Sequence, residues 1–347
     1  MNRGIDRRTL EVRIETFPYT APFRISGYTF NAAKVVVAVI GENGIEGRGE
    51  SSGIYFIGET VESMAAEIEA YRKDITGGLS RLELQSAMPA NGARNAIDCA
   101  LWELEARLAG VAAWSVAGIE RPRPLLTTQT LGADDPAAMA QNAIDHAGAL
   151  ALKLKLTGET EIDQERVLAV RKARRDVWIG VDGNQGFTPD TLAPLLPTLI
   201  DADVRLVEQP FARGREADLD GFDRPIPFAA DETALNLADV AGLVGRFDVL
   251  NIKLDKCGGL TEGLAMAAEA RRLGLKVMVG NMGGTSLAMA PAFILGQSCD
   301  IVDLDGPMFL KADRSPAVVY ADGMIDCPDA LWGAPEVAPI DAGAATG

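Results

Sequence analysis

Residues 151–156 read ALKLKL, residues 177–182 read VWIGVD and residues 204–208 read VRLVE, and these short apolar runs with charge at their ends decide the fold. A helix-like stretch, such as residues 163–174, separates each run from the next. Eight such runs follow one another, at residues 125–131, 151–156, 177–181, 204–207, 226–230, 249–252, 276–279 and 301–304. This repeat predicts an α/β fold, a TIM-like (β/α)₈-type barrel whose last helix is short or missing.

An open doubly wound sheet is the alternative for this repeat. That fold usually carries a glycine-rich phosphate loop after its first strand. The residues that close the first run here, Leu131-Gly132-Ala133-Asp134, do not form such a loop. The barrel is therefore the preferred interpretation.

The residues before the barrel have a different pattern. An alternating run at 10–14 and a β-branched run at 34–40, which continues through a turn into 45–50, predict strands, and apolar spacing at 93–108 predicts a helix. Strands followed by helices indicate a small α+β unit. We expect an N-terminal unit at 1–122, a barrel at 123–312 and a segment at 313–347 that returns to the N-terminal unit.

The composition excludes several classes of partner. The chain has 347 residues, 48% hydrophobic, and a formal net charge of −16, which disfavours nucleic acid and anionic membranes. It has no apolar run long enough for a membrane span and no signal peptide, so a cytoplasmic protein is expected. Its four cysteines lie far apart, and the single histidine, His146, rules out any site in one chain that needs two histidines.

Charged or polar residues stand at the end of nearly every predicted strand. They recur at intervals of 22 to 28 residues, at Lys155, Asp182, Glu208, Asp231, Lys253, Asn281 and Asp303. The carboxyl ends of parallel barrel strands meet at one rim, where active sites of this fold lie. Residues far apart in sequence are thus predicted to share one cleft.

Three of these residues are carboxylates on successive strands. Asp182, Glu208 and Asp231 would repel one another at the rim, so they need a compensating charge. A hard divalent cation with oxygen ligands fits best, and we predict one Mg²⁺ per subunit. The alternative is that each acid caps a helix or pairs with a lysine.

Lysines flank the predicted metal site. Because side chains alternate along a strand, Lys153 and Lys155 point together into the barrel, and Lys253 comes from the sixth strand, roughly across from the second. Lys155 and Lys253 then suit proton removal and return at the α-carbon of a metal-bound carboxylate, with Mg²⁺ stabilising the enediolate. The lysine that acts as base needs a lowered pKa, which neighbouring cations would provide.

At these residues the chain resembles the muconate-lactonising-enzyme subgroup of the enolase superfamily. The matching motifs are Lys153-Leu154-Lys155, Asp182-Gly183-Asn184-Gln185, Val207-Glu208-Gln209-Pro210, Ala230-Asp231-Glu232 and Asn251-Ile252-Lys253 leading to Cys257-Gly258-Gly259. The resemblance implies that Lys155 and Lys253 are the acid/base pair, that the three carboxylates bind Mg²⁺, that Lys153 contacts substrate, and that the N-terminal unit is a capping domain.

Within that subgroup the chain is similar to the dipeptide epimerases, the L-Ala-D/L-Glu epimerase family. The similarity lies in Asp303-Leu304-Asp305-Gly306-Pro307, because an Asp-x-Asp at the eighth strand of that family binds the α-ammonium of the dipeptide. Strand alternation would aim Asp303 and Asp305 inward together. Gly27 stands where those enzymes have a capping-loop arginine, and Arg24 and Tyr28 are the candidate side-chain contacts. Either Arg24 replaces that arginine, or Tyr28 and Phe30 line an apolar pocket.

The resulting hypothesis is a Mg²⁺-dependent dipeptide epimerase that inverts the α-carbon of the C-terminal residue by 1,1-proton transfer through an enediolate. Its partner is a small dipeptide, and a homo-oligomer is compatible with the sequence. The alternatives on this scaffold are an N-succinylamino acid racemase, an o-succinylbenzoate synthase or a cycloisomerase. A Schiff-base aldolase that uses a lysine as nucleophile is a mechanistically different alternative.

Overall fold

The N-terminal unit is an antiparallel sheet covered by helices. The structure, a computed structural model, describes residues 8–25 and 27–334. Three strands, β1 (Thr9–Ile25), β2 (Tyr28–Glu42) and β3 (Ile45–Ser51), pair in that order. The helices that follow are α1 (Val61–Ala70), α2 (Arg72–Thr76), α3 (Arg81–Ala87), α4 (Gly92–Ala109) and α5 (Ala113–Val116), with a 3-10 turn at Tyr55–Ile57. The predicted hairpin and the predicted long helix are both confirmed.

Helix α4 lies unusually close to β3 because glycines face it. A Cβ placed on Gly47 would meet the Ala100 carbonyl oxygen at 2.1 Å, and one on Gly49 would meet the Ala96 carbonyl oxygen at 2.0 Å. Only glycine allows this backbone approach. The contact fixes α4 between the sheet and the barrel.

Strand β2 contributes to two apolar cores. Val36, Ala38 and Ile40 pack with α1 and α4 in the core of the N-terminal unit. The alternate residues Val35, Val37 and Val39 belong to the much larger core of the barrel. Period-two alternation therefore places one strand in both cores at once.

The rest of the described chain forms an eight-stranded parallel barrel. Its strands are β5 (Gln129–Leu131), β6 (Ala151–Lys155), β7 (Trp178–Asp182), β8 (Val204–Glu208), β9 (Phe228–Ala230), β10 (Val249–Ile252), β11 (Lys276–Val279) and β12 (Ile301–Val302), in sequence order. Thr128 N donates to Val302 O at 3.0 Å, which brings the first and last strands together. The predicted barrel with an N-terminal α+β unit is confirmed.

The connections are helical to different degrees. The α-helices are α6 (Pro136–Asp145), α7 (Thr160–Ala173), α8 (Pro189–Leu192), α9 (Leu196–Asp201), α10 (Leu254–Cys257), α11 (Leu260–Arg272) and α12 (Ser286–Gly296). Short 3-10 helices stand at Glu216–Leu219, Leu237–Leu243 and Gly306–Phe309. As predicted, no α-helix follows β12 in the described part of the chain. None of the described helices combines the length and apolar character needed to cross a bilayer.

The predicted first strand, residues 125–131, was wrong as a single element. Leu125–Leu126 (β4) pairs antiparallel with β14 (Met324–Asp326), which pairs with β13 (Val319–Ala321), and only β5 joins the barrel. The backbone changes partner in between, since Thr127 N donates to Gly323 O and Thr128 N to Val302 O. A partner exchange of this kind leaves no trace in apolar periodicity.

The described part of the C-terminal segment contacts the N-terminal unit. Arg314 binds Glu50 and Glu15, each at 2.7 Å, and Trp332 Nε1 donates to Arg48 O at 2.8 Å. Residues 335–347 of the predicted segment lie outside the described residues. The domain limits at 122 and 312 stay a prediction.

Candidate active site

The three predicted ligands come together at the barrel rim. Asp182 and Glu208 are the last residues of β7 and β8 and stand opposite each other in the register, and Asp231 directly follows β9. One carboxylate oxygen from each lies within 4.8 Å of the other two, and all three side chains are buried. The register of the parallel strands therefore brings the three carboxylates together.

The carboxylate cluster fits a hard divalent cation. Burial and the charges of Asp182 and Asp231 raise the pKa of Glu208 to about 7. One Glu208 oxygen, Oε2, accepts no hydrogen bond in the described structure, while the amide of Asn251 donates to the other at 2.8 Å. The Oε2 oxygen has only an ion-pair contact, with Lys153 Nζ at 3.0 Å, and three buried carboxylates of this kind are a donor set that Mg²⁺ uses. Asp182, Glu208 and Asp231 would hold it.

Two lysines approach this cluster from opposite ends. Lys155 Nζ, on β6, donates to Asp182 Oδ2 at 2.6 Å. Lys253 Nζ, just after β10, donates to Asp231 Oδ2 at 2.7 Å. Three strands, β7 to β9, lie between β6 and β10 in the sheet. The geometry leaves the carboxylates between two ammonium groups.

The pKa of Lys253 reflects its contact with Asp231. Burial lowers this pKa, but the charge of Asp231 outweighs burial, and the pKa is raised above its ordinary value. The charge of Lys153 also lowers this pKa, but Asp231 outweighs it. The predicted lowering of a lysine pKa depends on the bound metal as well as on neighbouring cations, and it stays a prediction.

Lys153 connects the metal ligands to the Asp-x-Asp pair. Its Nζ lies 2.6 Å from Asp303 Oδ2, 3.0 Å from Glu208 Oε2 and 3.3 Å from Asp182 Oδ2. Burial opposes its charge, but these three carboxylates raise its pKa well above the usual value. Lys153 is therefore a protonated bridge inside the barrel.

The two aspartates of the Asp-x-Asp pair have different surroundings. Asp303 is bound by Lys153 and by Thr128 Oγ1, each at 2.6 Å, whereas Asp305 accepts the Thr130 backbone N–H at 2.6 Å. Within the described ranges, no lysine or arginine forms an ion pair with Asp305. Burial and the charge of Asp303 raise the pKa of Asp305 to about 6. Asp305 is therefore a buried carboxyl group that has no cationic partner among the described residues and is available to bind one.

One cavity unites these groups under the N-terminal unit. Its barrel side carries the three lysines, the Asp-x-Asp pair, Asn184 and Asn281. Its other side is mostly aromatic and apolar, from Tyr19, Phe23, Ile25, Phe30, Tyr55 and Phe309. The charged rim and the aromatic roof thus face each other across the cavity.

The two predicted side-chain contacts lie apart from that cavity. The Arg24 side chain is 52% exposed, with its Nη1 3.9 Å from Asp134 Oδ2, and it lines a neighbouring cavity. Tyr28 is 45% exposed; its ring stacks on Phe30 with centroids 6.1 Å apart and meets Tyr55 edge to face at 4.7 Å. Their predicted contact with substrate stays a prediction.

Several site residues were missed from the sequence. Lys256 Nζ donates to Asp231 Oδ1 at 2.7 Å and to the Asp231 and Asn251 carbonyls, so Asp231 is held by two lysines. The Asn184 amide donates to Glu232 at 3.2 Å. The signal for Lys256 was its position three residues after Lys253. The short helix α10 turns the Lys256 side chain back toward Asp231, the acid that Lys253 also contacts.

A parallel barrel whose rim gathers three carboxylates between two lysines defines the enolase type of barrel protein. Residues 135–331 match the family described as enolase C-terminal domain-like, and residues 7–118 match the mandelate racemase/muconate lactonizing enzyme N-terminal domain. The chain belongs to this mandelate racemase/muconate lactonizing enzyme family.

Individual relatives are similar over nearly the whole chain. L-Ala-D/L-Glu epimerase of Escherichia coli is 39% identical over 318 residues, 91% of this chain and 98% of that protein. An enolase family member from Agrobacterium tumefaciens with homology to dipeptide epimerases, solved with sodium and L-Ala-L-Glu, is 41% identical at a TM-score of 0.90 and covers 94% of this chain and 100% of that one.

A third comparison involves a different dipeptide. The structure of a dipeptide epimerase from Enterococcus faecalis, complexed with Mg and L-Leu-L-Tyr, has a TM-score of 0.85 and 28% identity. The match covers 93% of this chain and 97% of that chain. The fold and its architecture are therefore shared among relatives described with acidic and with apolar dipeptides.

Proposed function

We propose that this chain is a Mg²⁺-dependent dipeptide epimerase that inverts the α-carbon of the C-terminal residue by 1,1-proton transfer. The observation that carries the proposal is the position of Lys155 and Lys253 at the two ends of the Asp182–Glu208–Asp231 cluster. A carbon held between two amines can lose a proton to one and regain a proton from the other on the opposite face.

The carboxylates and the lysines of the site have different roles in the proposed reaction. Asp182, Glu208 and Asp231 would hold the cation, which when bound would supply charge stabilisation for the substrate carboxylate. Lys155 and Lys253, at the two ends of this cluster, would serve as base and acid on the two faces of the α-carbon. One lysine must then be neutral and the other protonated, and their roles exchange with the direction of reaction.

Asp303 and Asp305 support a dipeptide with a free amino terminus. Lys153 already balances Asp303, whereas Asp305 lacks a cationic side chain at ion-pair distance in the described structure. An α-ammonium group at Asp305 would form a charge-assisted hydrogen bond in a buried site. N-acylated amino acids and succinylbenzoate precursors have no such cation, so this pair favours the dipeptide over those alternative substrates.

Deuterium incorporation tests the proposal. L,L-dipeptides incubated with enzyme and Mg²⁺ in D₂O should acquire deuterium at the α-carbon of the C-terminal residue together with the L,D epimer, as read by NMR. EDTA should stop the exchange, and added Mg²⁺ should restore it. If no member of a broad dipeptide panel exchanges, the proposal is overturned.

The aldolase alternative has its own test. A Schiff base between a lysine and a carbonyl substrate is trapped by borohydride as a stable adduct on Lys155 or Lys253. The proposed epimerase forms no such bond, so mass spectrometry after borohydride treatment should find both lysines unmodified. An adduct on either would favour the aldolase.

A further inference from the structure

The aromatic roof of the cavity bears on which dipeptides bind, an inference that rests on the proposed function. Two groups of rings form the roof. Phe30 and Tyr55, with centroids 5.3 Å apart and edge to face, come from the N-terminal unit. Phe23 and Tyr19 contact Phe309, at 4.8 and 6.3 Å, where the N-terminal unit meets the end of the barrel.

The two groups of rings lie over different parts of the charged rim. The backbone N–H groups of Ser52 and Gly53, shortly before Tyr55, donate to Asp255 Oδ1 at 2.7 and 3.2 Å, which places Tyr55 near the end of β10, where Lys253 binds the metal-ligand cluster. Tyr19 forms an isolated β-bridge with Leu310, and its ring contacts Phe309 in the 3-10 helix that begins directly after Asp305, which places Tyr19 beside the acid assigned to the ammonium group. Phe30 and Tyr55 thus cover the C-terminal residue of a bound dipeptide, and the Tyr19 group covers the N-terminal residue.

Cations that could receive an acidic side chain are already engaged. The cavity-lining cations within the described ranges are Lys153, Lys155 and Lys253, and each lies 2.6 or 2.7 Å from a carboxylate. The Arg24 side chain is half exposed and its guanidinium is near Asp134. A glutamate side chain under Phe30 and Tyr55 would lose water without gaining a cationic partner.

The energetic consequence is large. Burying an ionised carboxylate without a partner costs far more than any gain from its two methylene groups, whereas an apolar side chain gains free energy in proportion to the area that it buries. Edge-to-face rings also favour aromatic side chains. We propose that the residue epimerised by this enzyme carries an apolar side chain, aliphatic or aromatic, packed against Phe30 and Tyr55, and that glutamate is a poor substrate at this position.

A matched panel of dipeptides tests the proposal. We expect kcat/KM, measured by α-deuterium exchange, to be at least about 100-fold higher for L-Ala-L-Leu and L-Ala-L-Phe than for L-Ala-L-Glu. Equal or higher values for L-Ala-L-Glu, or for L-Ala-L-Lys, would overturn the inference and leave the epimerase function intact. Exchange with no dipeptide at all would overturn the proposed function instead.

Substitutions at the roof provide the second test. Phe30→Arg places a guanidinium over the reacting residue and should raise the ratio of kcat/KM for L-Ala-L-Glu to that for L-Ala-L-Leu by at least about tenfold. Ile57→Arg adds the same charge at a 48% exposed position outside the cavity and should leave this ratio unchanged.

Phe30→Leu keeps the roof apolar and should preserve the preference for leucine over glutamate. Thermal unfolding of each variant verifies that the fold is retained. An unchanged ratio in folded Phe30→Arg, or a shift in Ile57→Arg as large as in Phe30→Arg, would show that the roof does not select the side chain.

Discussion

The rim of the barrel and the aromatic roof above it are built on different principles. At the rim, the charged groups stand in the strands or just beyond their ends, and the lysines are held by carboxylates at 2.6 to 3.3 Å, as Lys155 is by Asp182 and Lys153 by three acids. The roof consists of rings from β1, β2 and the turn at Tyr55–Ile57 that contact one another and few polar groups. Under the two proposals made above, the rim carries out the reaction and the roof selects the dipeptide.

The largest effect is expected where the rim carries the chemistry. Lys155→Ala and Lys253→Ala should each lower epimerisation by at least about 1,000-fold, because a positioned acid or base is lost. One of the two variants should still exchange the α-proton of a single enantiomer in D₂O. Lys172→Ala, an exposed change on α7, is the control. Wild-type turnover in both active-site variants would refute the two-lysine mechanism.

The Asp-x-Asp pair should affect binding more than turnover. Asp305→Asn removes the charge that faces the ammonium group and should raise KM by about 10- to 100-fold with a smaller change in kcat. Asp303→Asn should also raise KM strongly, and it additionally leaves Lys153 without its nearest partner. Propionyl-L-leucine, which lacks the ammonium group, serves as the control inhibitor and should bind wild type and Asp305→Asn equally well. Unchanged kinetics with a dipeptide would contradict the assignment.

A smaller effect is expected where helix α4 of the N-terminal unit packs against helix α11 of the barrel. Asp98, on α4, accepts hydrogen bonds from Thr261 Oγ1 at 2.6 Å and Thr261 N at 3.0 Å, and burial raises its pKa from 3.8 to about 6. Because folded Asp98 binds its proton more tightly than unfolded Asp98, its stabilising contribution is present at low pH and is lost as pH rises through about 6.

Urea unfolding at two pH values measures this contribution. Between pH values of about 5 and about 7.5, the wild-type free energy of unfolding should fall relative to that of Asp98→Asn by about 1 kcal/mol. The Asp98→Asn side chain cannot titrate, so the variant is the reference for the wild-type protein. Parallel pH profiles of the two proteins would show that Asp98 does not titrate in this range.

The smallest effect is expected outside the cavity. Arg24→Ala should change kcat/KM by less than about threefold for every dipeptide, because an exposed ion pair at 3.9 Å contributes little. The same panel of dipeptides measures it. A loss confined to L-Ala-L-Glu would instead support the contact with substrate predicted from the sequence. It would also show that Arg24 reaches an acidic side chain under the roof, against the proposed apolar preference.

The rim could be predicted from the sequence because strand geometry leaves little freedom. Alternation along residues 151–156 placed Lys153 and Lys155 on one side, and the interval of one strand–helix unit brought Asp182, Glu208 and Asp231 together. Both statements depend only on local periodicity and on a parallel sheet. The structure has both features.

The roof and the connections could not be predicted in this way. The directions of Arg24 and Tyr28 depend on how β1 and β2 meet the barrel, which no periodicity records. The division of residues 125–131 into two strands depends on partners near residues 302 and 323. Lys256 was overlooked because a charge on a short helix usually faces solvent, whereas here it supports Asp231.

Strand β2, which contributes side chains to both apolar cores, couples the unfolding of the N-terminal unit to that of the barrel. If β2 leaves the N-terminal sheet, Val35, Val37 and Val39 are also withdrawn from the barrel, so neither unit retains a complete interior without the other. We therefore expect a single calorimetric transition, with no folded barrel surviving the loss of its neighbour.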